Sequence, residues 1–249
     1  MTKQNAENVY DSAFFNYTSA ISDMSSGAMV PIVKSLLPNI QSVVDFGCAQ
    51  GVWLSKWQKS GVSDFVGLDG AYVDTSKLRI PLDCFIETNL NESIKLGRKF
   101  DLAYSLEVAE HLLPSRSKQF VASLTRHADI VLFSAAPPGQ GGESHINEQN
   151  YEYWQSIFAE FDYIAYDCLR PEIEKNTSIS YWYRYNSILY VKKGCEMELS
   201  EEIRLTRVVD GQKISDISPL WFKIRKTVVM TLPDPVQNVL ARIKAMISD

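Results

Sequence analysis

Val44-Asp45-Phe46-Gly47-Cys48-Ala49-Gln50-Gly51 joins a short apolar run, Ser42–Phe46, to a stretch, Gly51–Lys59, whose apolar residues recur every three or four positions. A buried strand passing through a glycine loop into an amphipathic helix is the opening unit of an open α/β sheet. Ligands of such sheets sit beyond the carboxyl ends of the strands, where glycine lets the backbone approach closely. The spacing D-x-G-x-x-x-G departs from the dinucleotide fingerprint G-x-G-x-x-G. Twenty-four residues after Asp45, a second apolar run, Asp64–Leu68, ends in Gly67-Leu68-Asp69-Gly70. This puts a carboxylate where it could bridge both hydroxyls of a ribose. Either cluster alone reads equally well as a tight turn, but two at successive strand ends favour a nucleoside cofactor.

Outward from this pair the same alternation continues. Cys84–Thr88, Phe100–Ser105 and Ile130–Ser134 are short, rich in Val, Ile and Phe, and bounded by polar residues or glycine. They predict strands buried on both faces. Ser115–His127 and Glu148–Phe161 carry helical periodicity. Asp162–Tyr166 and Tyr185–Val191 predict two late strands with no full crossover helix between them, and thus an antiparallel strand at the sheet edge. The fold class expected is α/β, a Rossmann-like, doubly wound, seven-stranded sheet with helices on both faces. Residues 1–199 are expected to form the sheet-bearing domain, with 1–39 as an N-terminal helical cap. Residues 200–249 form a helical, basic amphipathic extension, in which Glu201–Lys213 predicts a charged helix and Ser215–Pro219 a turn.

Composition limits the function. The chain has 249 residues, 45% apolar and 22% charged, with a formal charge of −5, which is ordinary globular composition. That acidity argues against a general nucleic-acid binder. No apolar run approaches the roughly 20 residues that cross a bilayer, and Met1–Asp11 lacks the blocks of a secretory signal. Cys48, Cys84, Cys168 and Cys195 form no C-x-x-C pair, as expected of scattered thiols in a cytoplasmic protein. The charge is unevenly spread. Pro219–Asp249 carries Lys223, Arg225, Lys226, Arg242 and Lys244 against Asp234 and Asp249, a net +3, so the remainder carries −8. Trp221, Phe222 and Val228–Leu232, among these bases, suit either packing on the core or a second subunit, or insertion at an anionic membrane surface.

The glycine loop and the acid at the second strand end resemble a class I S-adenosylmethionine-dependent methyltransferase over roughly Asn39–Val191. The resemblance implies that Asp45–Gly51, with Gly47, Cys48 and Gly51, cradles the methionine end of the cofactor. It implies that Asp69, beside Gly70, holds the ribose, and that Asn89 and Leu90 contact adenine. Many relatives carry Asp where this chain has Asn89, whose amide oxygen can still accept from the adenine amino group. Phe100–Leu106 resembles the family's fourth motif, and Ser105 joins the cofactor residues.

Glu107-Val108-Ala109-Glu110-His111 follows that motif. A helix starting here would place both carboxylates and the imidazole on one face, and acids in a first turn also suit the helix dipole. E-x-x-E-H resembles the magnesium-binding motif of ubiquinone-pathway and small-RNA 2′-O-methyltransferases, the latter adding a histidine after the fifth strand. His145 stands at that place. The resemblance thus implies Glu107, Glu110, His111 and His145 as ligands of Mg²⁺ or Mn²⁺, with Glu110, His111 and His145 as catalytic residues. Without metal, His145 is the best general base. His127, at a helix end, suits a dipole or capping role.

Tyr151, Tyr153, Trp154, Arg170 and Tyr181–Asn186 interleave aromatics with amides and arginines, which suits sugar rings; each aromatic taken singly suits the core. With Tyr10, Phe14 and Phe15 upstream, the arrangement resembles bacterial methyltransferases of surface-polysaccharide pathways. The expected function is O-methylation of a sugar hydroxyl on a glycan, glycolipid or sugar-bearing metabolite, assisted by a divalent metal. Placement is cytoplasmic, peripheral to the inner membrane face or dimeric through residues 219–249. The alternatives are O-methylation of a small molecule or an RNA 3′ end, and a catalytically silent binding module.

Overall fold

The computed structural model describes residues 12–209, 211–232 and 236. Expectations on Tyr10, on the side chains of Phe14 and Phe15, on Pro233-Asp234-Pro235 and on Arg242 and Lys244 lie outside the described residues.

Seven strands form one sheet: β1 (Ser42–Phe46), β2 (Asp64–Asp69), β3 (Phe85–Glu87), β4 (Leu102–Leu106), β5 (Ile130–Ser134), β6 (Tyr163–Tyr166) and β7 (Ile188–Lys192). Their order is β3-β2-β1-β4-β5-β7-β6. All neighbours are parallel except β7, which runs antiparallel to both β5 and β6. The antiparallel strand is therefore inserted inside the sheet, and β6 takes the edge that the sequence assigns to the antiparallel strand. Chain order leaves β1 for β2 on one side and later returns to β4 on the other. The crevice between the carboxyl ends of β1 and β4 is the topological switch point, where such sheets bind ligands.

Alternate residues of the central strands feed two cores. Val43, Leu102, Tyr104 and Leu132 pack with Met29 and Val33 of helix α1 (Ser12–Leu36) and with Leu54 and Trp57 of α2 (Val52–Lys59). Val44, Ala103, Val131 and Phe133 pack with Phe120 and Leu124 of α3 (Ser117–His127) and with Trp154 and Phe158 of α4 (Tyr151–Ala159). This period of two with both faces covered is why the strands read as continuous apolar runs. Phe158 stacks on Tyr190 of β7 with ring centroids 3.8 Å apart, and burying such a side chain contributes about 1.5–3 kcal/mol.

Helix α1 is tied across the glycine loop. Asp23 meets Lys56 Nζ at 2.9 Å and Arg79 Nη1 at 2.5 Å, and the Arg79 amide donates to the Gln50 carbonyl at 2.8 Å. The hydrogen bond from Lys56 holds the Asp23 carboxyl below the usual carboxylate range.

Three expected elements differ. The front of the predicted strand Tyr185–Val191 is helical: α5 (Arg170–Ile173) and α6 (Tyr181–Asn186) lie between β6 and β7. The aromatic run Tyr181–Tyr185 has strand-like composition, yet Tyr183 turns into the core against Trp53 at 5.0 Å. Helix Glu148–Phe161 shortens at both ends to α4. Of the predicted helix Glu201–Lys213 only α7 (Glu201–Leu205) forms. The following residues run along edge strand β6, with Val208 N donating to Ala165 O at 2.9 Å and Asp167 N to Thr206 O at 3.0 Å. These bonds satisfy edge groups of β6 that would otherwise stay open. A last helix, α8 (Leu220–Met230), follows. No helix among the described residues is long and apolar enough to cross a membrane.

Candidate functional site

The loop leaving β1 coils tightly: Gly47, Ala49 and Gly51 have φ of 96°, 46° and 74°. At Gly47 a Cβ would stand 2.4 Å from Val108 Cγ2, so only glycine lets the loop close against the segment that follows β4. Asp69, at the end of β2, organises this loop. Its Oδ2 accepts from Ala49 N at 2.6 Å and its Oδ1 from Gly70 N at 2.7 Å, and the Tyr72 hydroxyl donates to Oδ1 as well. Burial raises the Asp69 carboxyl above the usual range despite these donors.

Asp45 and Cys48 lie beneath the loop, 3% and 4% exposed. Burial pushes both the Asp45 carboxyl and the Cys48 thiol well up. Gly67, which the sequence reading passed over as a site residue, leaves room there, since a Cβ on it would meet Cys48 Sγ at 2.7 Å. Ser105 turns back into the sheet and donates to Phe46 O at 2.8 Å, tying β4 to β1. Asn89 sits in an exposed turn whose own groups use its side chain: Oδ1 accepts from Asn91 N at 3.0 Å and Nδ2 donates to Glu92 Oε1 at 3.2 Å. Leu90 is buried beside it. Asn91 Oδ1 in turn accepts from Leu113 N at 2.9 Å, linking this turn to the motif after β4.

That motif is not an α-helix. Glu107 is left-handed, with φ of 57°, and only Ala109–His111 forms a single 3₁₀ turn. The helical face expected of Glu107, Glu110 and His111 therefore does not form. The Glu107 amide donates to Ser134 O at 3.0 Å, locking the turn to the end of β5. The Glu107 carboxylate faces the opposite wall, where Gln140 Nε2 reaches it at 2.6 Å and Asn186 Nδ2 at 3.1 Å. Asn186 is held by Tyr151 Oη at 2.9 Å. Thus Tyr151, Gln140 and Asn186 build the wall of the site from the core side.

The structure brings Glu110, His111 and His145 together, with one ligand atom of each within 4.8 Å of the others. The two imidazoles meet edge to face at 4.9 Å. Glu110 is 1% exposed, and its Oε2 has no hydrogen-bond partner. A buried orphan carboxylate oxygen calls for a ligand or ion, since most buried polar atoms are paired. Burial, with the Glu107 carboxylate nearby, holds the Glu110 carboxyl well above its usual range. Burial and the neighbouring His145 push His111 down to about 3. Burial thus disfavours the charged form of both groups, and a bound divalent cation would favour the ionised carboxylate. One carboxylate oxygen and two imidazole nitrogens fit such an ion. The set is richer in nitrogen than the four residues expected from sequence, because Glu107 is engaged elsewhere.

Two residues that support the cluster escaped sequence reasoning. Glu148 Oε1 meets His145 Nδ1 at 2.7 Å and accepts from Gly141 N at 2.8 Å, while its Oε2 accepts from Gly139 N at 2.7 Å. His145 thereby keeps Nε2 for the cluster. Asn147 donates to Ala109 O and to Ser117 Oγ, each at 3.0 Å, fixing the 3₁₀ turn. The spacing of His145 and Glu148, three positions apart, is the sequence signal for this pair, and the helical periodicity of Glu148–Phe161 masks it.

His127 lies apart from the site. Its Nδ1 faces Ser123 O at 2.6 Å and its Nε2 accepts from Leu96 N at 2.9 Å. It is a neutral core histidine pinning the segment before β4 to α3, and burial lowers its pKa. Tyr151, Trp154, Tyr183 and Tyr185 are likewise core residues.

Residues 21–127 match a protein family described as Methyltransferase domain. No curated protein matches the chain. Among solved structures, the sugar N-methyltransferase KedS8 from Streptoalloteichus sp ATCC 53650 is 12% identical, covering 68% of this chain and 86% of its own at a TM-score of 0.52. S-adenosylmethionine-bound CalS10, an amino pentose methyltransferase from Micromonospora echinaspora, is 13% identical, covering 68% and 90% at a TM-score of 0.50. The match to Streptomyces venezuelae DesVI, 22% identical at a TM-score of 0.43, covers 53% of this chain and spans 57% of that protein. Residues 21–127 thus match the methyltransferase-domain family, and the chain has the fold of S-adenosylmethionine-dependent methyltransferases.

Proposed function

We propose that the protein transfers the methyl group of S-adenosylmethionine to a sugar hydroxyl of a glycan, glycolipid or sugar-bearing metabolite. A divalent cation held by Glu110, His111 and His145 assists the transfer. The observation that carries this reading is the orphan Glu110 Oε2 inside a three-ligand cluster, set at the switch point beside the loop that Asp69 organises. Two neighbours in fold, KedS8 and CalS10, are a sugar and an amino pentose methyltransferase, which supports a sugar acceptor.

In this reading Asp69 takes the ribose hydroxyls, displacing the Tyr72 hydroxyl from Oδ1. The loop Gly47–Gly51 surrounds the methionine end, and helix α2 begins just after Gly51, which supplies no side-chain cap. A ligand carboxylate suits the positive end of that helix. Leu90 lies under the adenine. The acceptor oxygen attacks the methyl carbon in line, a C–O bond forms, and the C–S electron pair returns to sulfur. The acceptor proton leaves to water.

The cation, when bound, supplies a lowered pKa for a chelated hydroxyl. The chain's own part is to hold the ligands rigid: Asn147 fixes Glu110 and His111, and Glu148 fixes His145. Two imidazoles with one carboxylate favour Mn²⁺ or a later transition metal over Mg²⁺.

Calorimetric titration with S-adenosylmethionine tests the donor half of the reading. Wild-type protein is expected to bind, and Asp69→Ala to lose at least ten-fold in affinity. Absence of binding by the wild type would refute every enzymatic reading.

A further inference from the structure

Helix α8 is apolar on two faces, and only one of them is covered. Phe222 turns inward onto Tyr181 and Tyr185, with ring centroids 4.8 and 5.9 Å away. Lys226 is buried on Asp216 at 2.5 Å. Arg225 Nη1 donates to Gln140 O at 2.8 Å. Gly139 has φ of +81°, and a Cβ there would lie 2.2 Å from the Lys226 carbonyl oxygen, so the loop and the helix backbone touch. The helix is thereby fastened to the loop that carries Gln140.

The outward face holds Leu220, Trp221, Ile224 and Val228, exposed by 73%, 61%, 56% and 55%. At 3.6 residues per turn these four span an arc of roughly 100°. Lys223 is exposed on one side of the stripe, and Arg225 is half-buried on the other. A surface helix needs one apolar face, and a second calls for a partner.

We propose that this stripe docks α8 parallel to an anionic lipid surface. Leu220, Trp221, Ile224 and Val228 enter the headgroup boundary, and Lys223 lies among the phosphates. Two features favour lipid over a second copy. An 11-residue helix is about 16 Å long and offers on the order of 200 Å², whereas a stable dimer needs about 800 Å² from each partner. Segment Pro219–Asp249 also carries a net +3, which an identical copy repels and an anionic surface attracts. Phe222, which the sequence reading counts among the inserted residues, is instead the inward anchor. Because α8 is fastened to the Gln140 loop, docking holds that wall of the candidate site close to the bilayer. The proposal stands on the helix alone and does not depend on methyl transfer.

The test is co-sedimentation of the full chain with vesicles of phosphatidylcholine, with and without phosphatidylglycerol. The variant pair is wild type and Trp221→Ser/Ile224→Asn, both exposed positions, with S-adenosylmethionine titration and circular dichroism as fold controls. Wild type is expected to sediment with the anionic vesicles, the double variant to bind at least ten-fold more weakly, and high salt to release both. Equal sedimentation of the two proteins, or binding independent of phosphatidylglycerol, would overturn the proposal. So would a wild-type dimer in light scattering that the double variant abolishes.

Discussion

At the scale of single residues, the site depends on side chains held by others. Glu148 illustrates this, because its two oxygens take a ring nitrogen of His145 and two loop amides together. A carboxylate behind a ligating histidine fixes the tautomer and the ring orientation, and its loss commonly costs ten- to a hundred-fold in metal affinity. Glu148→Gln is accordingly expected to weaken Mn²⁺ binding by about ten-fold or more while leaving S-adenosylmethionine affinity within about two-fold. Calorimetry with each ligand in turn reads both values. Equal loss of both would mean that Glu148 merely stabilises the loop. The sequence displays Asp69, His111 and His145 openly, because acids and imidazoles at strand ends are conspicuous. It conceals the direction of a side chain. Nothing in Phe100–Leu106 says that Ser105 bonds back to Phe46 O, and nothing in E-x-x-E-H announces a left-handed Glu107 that leaves the cluster for Gln140 and Asn186.

At the scale of elements, strands were legible where both faces are buried, as in β1, β4 and β5, since continuous Val, Ile, Leu and Phe runs have few other uses. Elements after β5 were less so. The run Tyr181–Asn186 has strand composition but is a helix, because Tyr183 and Tyr185 take core positions from one short turn. The segment after Leu205 leaves the helix to cover β6, a tertiary demand that local periodicity does not carry. Helix α8 is fixed by the pair Lys226–Asp216. Burial alone would raise the Asp216 carboxyl, but bonds from Lys226 and Ser218 outweigh it and hold it below its usual range. A carboxyl depressed in the folded state stabilises above its unfolded pKa of about 3.9, and that contribution is lost as pH falls through the folded value. Asp216→Asn is expected to remove this acid-dependent part and to cost about 1–2 kcal/mol at neutral pH, since Lys226 stays buried without its counter-ion while Asp216 is partly exposed. Thermal denaturation from pH 7 down to pH 3 reads it. A variant that tracks wild type at every pH would show that the pair contributes nothing.

At the scale of the whole molecule, the charge split of −8 and +3 gains a physical place. Within the basic end, helix α8 is fastened to the body, because it reaches the loop at Gln140 through Arg225 and meets it backbone to backbone at Gly139. The sheet order explains why two distant sequence motifs share one site: β1 and β4 are neighbours across the switch point, so the glycine loop and the segment Glu107–His111 face one another. The central claim is methyl transfer to a sugar hydroxyl assisted by an ion on Glu110, His111 and His145. Its most direct test is transfer of radiolabelled methyl from S-adenosylmethionine to a panel of sugar acceptors, run after exhaustive chelation and again with Mn²⁺ or Mg²⁺ restored. The account predicts transfer to oxygen that chelation abolishes and that Mn²⁺ restores better than Mg²⁺. Full transfer after chelation, or a product methylated on nitrogen, would contradict it.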